Sequence, residues 1–339
     1  MKNIIFVFVI AAAMGLSSCK DSLSSSATIV RDTVYQHYWD PEQSGVSGTL
    51  IAVRFPSLQI GTAVGAGGAI VRTTDGGSTW TSQNSGTGSD LYGLSFSDIN
   101  TGIAVGSFGA VVKTVDGGAN WTPLSVDIDV QFRNVQMVGS NTGYAIGSRY
   151  FGVDNTKGYI FKTTDGGTTW VPLTIASTTG LYGISFIDAQ NGWVSGLQGV
   201  IYKTSDGGAT WAKQNSTVPV TQQVAQIAFA DASHGIAVGF DGVAGVPGTP
   251  TAGFAMMTSD GGATWTKTNS NPVSGLWMPD AKHATVVGYS GTVMETADGG
   301  ATWITKAVGN FRLMNVFMND ANNGAMVGEN GTVYILGPH

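Results

Sequence analysis

The chain has 339 residues, of which 49 are Gly, 42% are hydrophobic and nine are Trp. So much apolar and aromatic material excludes a disordered chain. A net charge of −6 with six Arg excludes a nucleic-acid groove, and a single Cys excludes an intrachain disulfide or a cysteine-rich metal site.

Met1-Lys2-Asn3 is a short positive start, followed by the twelve-residue apolar run Ile4–Gly15 (IIFVFVIAAAMG). Twelve residues cannot cross a hydrocarbon core of ~30 Å and suit the apolar region of a signal peptide. The run ends in Leu16-Ser17-Ser18-Cys19, which resembles a bacterial lipoprotein signal. That resemblance implies a leader over residues 1–18 and lipidation of Cys19, with residues 19–33 as a Ser-rich tether. Acyl chains on Cys19 would anchor the protein without a transmembrane helix. The expected location is the bacterial cell envelope, on the periplasmic or outer-membrane side. Losing residues 1–18 removes Lys2 and no acid, leaving 15 basic against 22 acidic side chains, a net −7.

From residue 34 to 339 internal repeats dominate. One octapeptide recurs six times: Thr73–Trp80 (TTDGGSTW), Thr114–Trp121 (TVDGGANW), Thr163–Trp170 (TTDGGTTW), Thr204–Trp211 (TSDGGATW), Thr258–Trp265 (TSDGGATW) and Thr296–Trp303 (TADGGATW). The Trp spacings of 41, 49, 41, 54 and 38 point to a propeller or solenoid. Strand-like runs such as Leu91–Phe96, Thr101–Val105 and Ala110–Thr114 lie between the motifs, separated by Gly-containing turns. With the strand that carries the Trp they make four per repeat, the content of a propeller blade. Asp-Gly between strands signals a tight hairpin, since Gly tolerates positive φ and Asp bonds its own backbone. Asp75, Asp116, Asp165, Asp206, Asp260 and Asp298, with Trp80, Trp121, Trp170, Trp211, Trp265 and Trp303, therefore read as structural. Calcium needs six to eight oxygens, and each motif offers one carboxylate before two glycines, so no metal or other cofactor is expected.

The octapeptide resembles the Asp-box, or bacterial neuraminidase repeat, the turn between the third and fourth strands of a propeller blade. Its regular spacing, with a G-x-x-G and a Lys/Arg/Glu-Thr strand before most copies, is similar to the photosystem II stability/assembly factor-like propellers. The resemblance covers roughly residues 36–337 and implies an all-β fold of four-stranded antiparallel blades.

Trp80, Trp121 and Trp170 each precede an inner-strand landmark (Phe96, Met137, Phe186) by 16 residues, and Trp39 precedes Phe55 by 16 as well. Phe311–Leu336 holds three strands without a fourth. A strand around Tyr35–Asp40 would complete that last blade, giving a seven-bladed monomeric propeller with no open sheet edge; the rival is six blades with frayed ends. All the DGG turns then share one rim. The opposite, top face carries short loops at Gly65–Gly68, Gly106–Gly109, Gly196–Gly199, Gly288–Gly291 and Gly328–Gly331, with expansions at Ser148–Gly158 and Phe240–Gly253. Loops carry function more often than scaffold does, which makes Phe108, Tyr150, Phe151, Gln198, Asp241, Tyr289 and Glu329 the candidate binding face, with Leu197 and Phe240 beside them.

Asp-boxes also occur in sialidases, whose chemistry resembles three Arg clamping a carboxylate beside a Tyr/Glu pair and an Asp acid. Val53-Arg54-Phe55-Pro56 faintly resembles a sialidase element, yet Arg31, Arg54, Arg72, Arg133, Arg149 and Arg312 show no matching spacing. Arg54 falls in an inner-strand column with Ser95, Gln136, Ser185 and Phe317. His37, His234, His283 and His339 show no metal-ligand spacing. No catalytic residue is assigned. Two functions stay open: a non-enzymatic module binding a protein or glycan, and an exported glycosidase on the face opposite the Asp-boxes. Two or three Arg with a Tyr and a carboxylate at the top of the central channel would favour the enzyme; exposed aromatics without converging charges would favour binding.

Overall fold

The computed structural model describes residues 39–124, 130–149, 157–177, 179–242 and 250–337. Cys19, with the whole expected leader and tether, lies outside the described residues, as do Arg31, His37, Tyr150, Phe151 and His339.

Short apolar runs punctuated by glycine turns form seven four-stranded antiparallel sheets. The first blade runs outward through β2 (Leu50–Arg54), β3 (Gly61–Gly65), β4 (Ile70–Thr73) and β5 (Thr81–Gln83). The next five repeat that order from the inner strands β6 (Leu91–Phe96), β10 (Gln131–Met137), β14 (Leu181–Phe186), β18 (Gln222–Phe229) and β22 (Val273–Trp277). The seventh starts at β26 (Leu313–Asp320) and continues through β27 (Asn323–Gly328) and β28 (Thr332–Leu336). Its outer strand comes from the other end of the domain. Strand β1 (Asp40–Gln43) pairs with β28, Asp40 opposite Ile335 and Gln43 opposite Thr332. Strand β2 packs on both β6 and β26, so the ring meets itself. The closing strand begins later than the expected Tyr35–Asp40. Outer strands start just after their Trp, as β5 starts after Trp80, and β1 follows Trp39 in the same way.

Seven clusters join neighbouring blades, and each contains a Trp that precedes an outer strand, together with the Phe or Met at or near the end of an inner strand; two of them hold a second Trp, Trp193 or Trp277. The pairs are Phe55/Trp80, Phe96/Trp121, Met137/Trp170, Phe186/Trp211, Phe229/Trp265, Met278/Trp303 and Met318/Trp39. In four blades the Phe meets the Trp edge-to-face at centroid distances of 5.9, 6.3, 6.1 and 6.0 Å, the arrangement that the ring quadrupoles favour. Trp39 thus fills the slot the spacing assigned to it.

The DGG turns are self-contained hydrogen-bond cages. In the first, Thr73 Oγ1 donates to Asp75 Oδ1 and accepts from Gly77 N, while Thr79 donates to both carboxylate oxygens. The same set recurs around Asp116, Asp165, Asp206, Asp260 and Asp298, with Asn120 replacing the second Thr in one. Both glycines hold positive φ, 74° and 103° in the first turn, which only Gly adopts without strain. The turn also receives the preceding blade. Arg72 Nε donates to Gly117 O at 2.7 Å, Lys162 Nζ to Gly207 O at 3.0 Å and Lys203 Nζ to Gly261 O at 3.3 Å. The basic residue before the Thr of the octapeptide therefore latches one blade to the next.

Hydrogen bonds from Thr79 to Asp75, and their equivalents in the other turns, lower these six carboxyls from the ordinary 3.8 to about 2. A depressed native pKa contributes stability that is complete above the unfolded value and is lost as pH falls through the folded one. The melting temperature should therefore lose this contribution between about pH 4 and pH 2; an unchanged melting temperature over that interval would contradict the cages. Trp39→Ala should destabilise the closed ring by about 3–5 kcal/mol in urea unfolding, a cost that a frayed six-bladed ring would not show.

Candidate functional site

Every inner strand carries a β-bulge at the same place, and β26 has a second register shift between Met318 and Asp320. The register slips between Leu50 and Ala52, Leu91 and Gly93, Phe132 and Asn134, Leu181 and Gly183, Val224 and Gln226, Val273 and Gly275, and Leu313 and Asn315. A bulge leaves one residue unpaired and re-aims its side chain. The seven residues so released, Ile51, Tyr92, Arg133, Tyr182, Ala225, Ser274 and Met314, all line one cavity of about 380 Å³ at the top of the central channel. Below them come Ala52, Gly93, Asn134, Gly183, Gln226, Gly275 and Asn315, and then Arg54, Ser95, Gln136, Ser185, Ala228, Trp277 and Phe317. The lower tiers also carry hydrogen bonds between blades: Ser95 Oγ accepts from Met137 N at 2.9 Å, and Gln136 spans Phe186 N and O at 2.8 and 2.9 Å.

Arg133 lies between two tyrosines of the flanking blades, its guanidinium 5.0 Å from the ring centroids of both Tyr92 and Tyr182. Its Nη2 donates to Gln131 Oε1, Gln131 Nε2 donates to the Tyr92 hydroxyl, and that hydroxyl donates to Asp90. The acid is thus reached only through two neutral groups. Arg312 stacks on Tyr289 at 4.1 Å and stands 5.8 Å from Phe240, and those two rings meet edge-to-face at 5.6 Å. Burial lowers the Arg312 pKa and raises that of Tyr289. The Nε–H groups of Arg133 and Arg312 are buried without an acceptor. With Arg54 at the base of the cavity, three guanidinium groups face a lining that, among the described residues, contains a single carboxylate, Asp241. Asp241 is already committed: it accepts from Thr251 N and Oγ1 and from Ala252 N, which hold its pKa below the usual carboxylate range.

Of the candidate face, Tyr289 and Asp241 line the mouth, together with Phe240. Glu329 sits in a top turn, where it accepts from Arg312 N at 3.1 Å. Phe108 and Gln198 occupy equivalent top turns at φ 55° and 57°, pointing outward with Phe108 60% exposed, and neither lines the cavity. Leu197 is buried. The arginines, and the two tyrosines Tyr92 and Tyr182 that flank Arg133, are not among the sequence-derived candidates. For Tyr92, Arg133 and Tyr182 the signal is a fixed offset: each bulged residue lies four before its Phe or Met landmark, as Arg133 lies before Met137.

A sequence model of the family described as photosynthesis system II assembly factor YCF48 matches residues 31–180 and 167–272. The chain belongs to this family. Among solved structures, one titled "YCF48 bound to D1 peptide" is 19% identical with a TM-score of 0.68, covering 89% of this chain and 97% of its own. YCF48 from Cyanidioschyzon merolae is 18% identical with a TM-score of 0.67, covering 88% and 98%. A GH74 xyloglucanase from Xanthomonas campestris reaches 0.68 at 13% identity, and there the chain covers 88% of itself but 53% of the enzyme. At these identities the likeness is one of fold. No curated protein matches in sequence.

Proposed function

We propose that this YCF48-family propeller is a membrane-anchored binding module whose channel mouth takes an acidic segment of a protein partner. The observation that carries this reading is the pair Arg133 and Arg312, held on tyrosine faces, each with a buried Nε–H that finds no acceptor among the described residues; Glu329 meets Arg312 at its backbone N. A guanidinium stacked on a ring loses little further freedom on binding and offers a fork of N–H donors matched to carboxylate geometry. A family relative whose structure is titled as bound to a D1 peptide supports a peptide as the ligand.

Three arginines with tyrosines satisfy the cationic half of the pattern that would favour a sialidase-like enzyme, and this observation gives the second reading its basis. The other half has a poor chemical fit. A glycosidic general acid needs a raised pKa, whereas Asp241 is lowered by three hydrogen bonds. A phenolate nucleophile needs a lowered pKa, whereas that of Tyr289 is raised, first by burial.

The anchoring is read from Leu16–Cys19 and the apolar run before it. Acylation of Cys19 would leave the propeller on a short Ser-rich tether in the cell envelope.

In titration calorimetry at low salt, a short peptide rich in Asp and Glu should bind the wild-type propeller. Arg133→Gln with Arg312→Gln should weaken it at least about tenfold, the worth of one charged hydrogen bond. Equal binding by this variant would overturn the reading, and turnover of a fluorogenic sialoside abolished by Arg133→Gln would replace it with the enzymatic one. For the anchor, detergent partitioning and intact mass should find the mature chain starting at an acylated Cys19, with Cys19→Ala released into the aqueous phase; an unmodified wild-type chain would refute it.

A further inference from the structure

Beneath the mouth the channel continues as a second cavity of about 340 Å³, and among the described residues its lining holds one cation and no carboxylate. The cation is Arg54. Its Nη1 donates to Val53 O at 2.7 Å and to Asn315 Oδ1 at 3.0 Å, both neutral acceptors. The guanidinium lies 5.7 Å from the ring centroids of both Trp277 and Phe317, and those two rings are 4.4 Å apart. Burial lowers the Arg54 pKa from 12.5 to about 10, the response of a desolvated cation that lacks a counter-charge. A guanidinium remains charged at neutral pH even so, and a half-buried charge with only neutral partners favours an anion beside it.

The surrounding wall supplies donors. Trp277 Nε1–H is buried without an acceptor. Ser95 and Ser185 use their oxygens to accept from Met137 N and Phe229 N of neighbouring blades, which leaves each hydroxyl proton for another acceptor. Asn315 accepts at Oδ1 from both Arg54 and Val53 N, so its amide N–H groups are left to donate. The column that looked like an ordinary strand position is therefore a donor-lined waist around one unpaired charge.

We propose that this waist binds a single small inorganic anion of the chloride class at Arg54. Arg54 and Asn315 line the base of the mouth cavity as well, but this site does not rest on Arg133 and Arg312, which carry the peptide-binding reading, and it needs no peptide to fill. A bound anion neutralises the guanidinium where the seventh blade meets the first, the junction that closes the ring.

The test uses the peptide-free protein in gluconate buffer, titrated with chloride at constant ionic strength. The indole N–H resonances are followed by NMR, and the Trp277 signal is assigned by its loss in Trp277→Phe. The expected result is a saturable shift of the Trp277 resonance, a rise in melting temperature over the same chloride range, loss of both in Arg54→Gln, and retention of the shift in Arg54→Lys. A shift that is linear in chloride, or equal across the indoles, would overturn the proposal, as would an Arg54→Gln variant that responds like wild type. Should Arg54→Gln not fold, bromide-soaked wild-type crystals decide: an anomalous peak beside Arg54 and Asn315 supports the site, and peaks only on the outer surface contradict it.

Discussion

Everything in this molecule depends on seven twisted sheets meeting end to end. An open row of blades would expose the edge of β28 and leave the last Trp slot empty. Four residues, Asp40–Gln43, cover that edge, and Trp39 beside them fills the slot against Met318. Between other blades the work is shared by the aromatic clusters and by basic side chains reaching into the next DGG turn. This latch series has gaps. The equivalent positions in the fifth and sixth blades are Met257 and Glu295, the latter paired with Lys306 at 3.1 Å. Apolar packing carries the contact there instead, around Met278 and Trp303 between the fifth and sixth blades and around Met318 and Trp39 between the sixth and seventh.

Closure has a geometric consequence for chemistry. Once seven inner strands surround one axis, a bulge at the same register in each delivers seven side chains to one place. Most are small or apolar, so the few that are not define the site. Arg133 is tolerated there because two tyrosine faces replace part of its hydration, and Arg312 because Tyr289 and Phe240 do the same. The result is positive potential at the mouth of a protein whose overall charge is negative. Such a local field in a confined cavity outweighs net charge in choosing a ligand.

Much of the fold was legible in the chain. The DGG octapeptides, the 16-residue interval from Trp to landmark and the strand Leu91–Phe96 all appear in the structure where the sequence reading placed them. The closing strand was legible in kind but misplaced by a few residues, since Trp39 marks where an outer strand starts and not its middle. The mouth was harder to see. Tyr92, Arg133 and Tyr182 stand 41 and 49 residues apart and meet only because closure superimposes equivalent positions of successive blades. Bulges leave no residue-type signature, so alternation along an inner strand assigned these side chains no direction. Loop aromatics such as Phe108 stand out in the sequence instead, yet Phe108 is exposed and does not line the cavity.

The central claim, that the bulged ring forms the partner site, is tested most directly by photocrosslinking an acidic peptide that bears a benzophenone and mapping the adduct by mass spectrometry. The account predicts insertion at the mouth, chiefly at Met314, which stands in the ring with Arg133 and two residues after Arg312 in sequence. Adducts confined to the DGG rim or to the outer strands would contradict it.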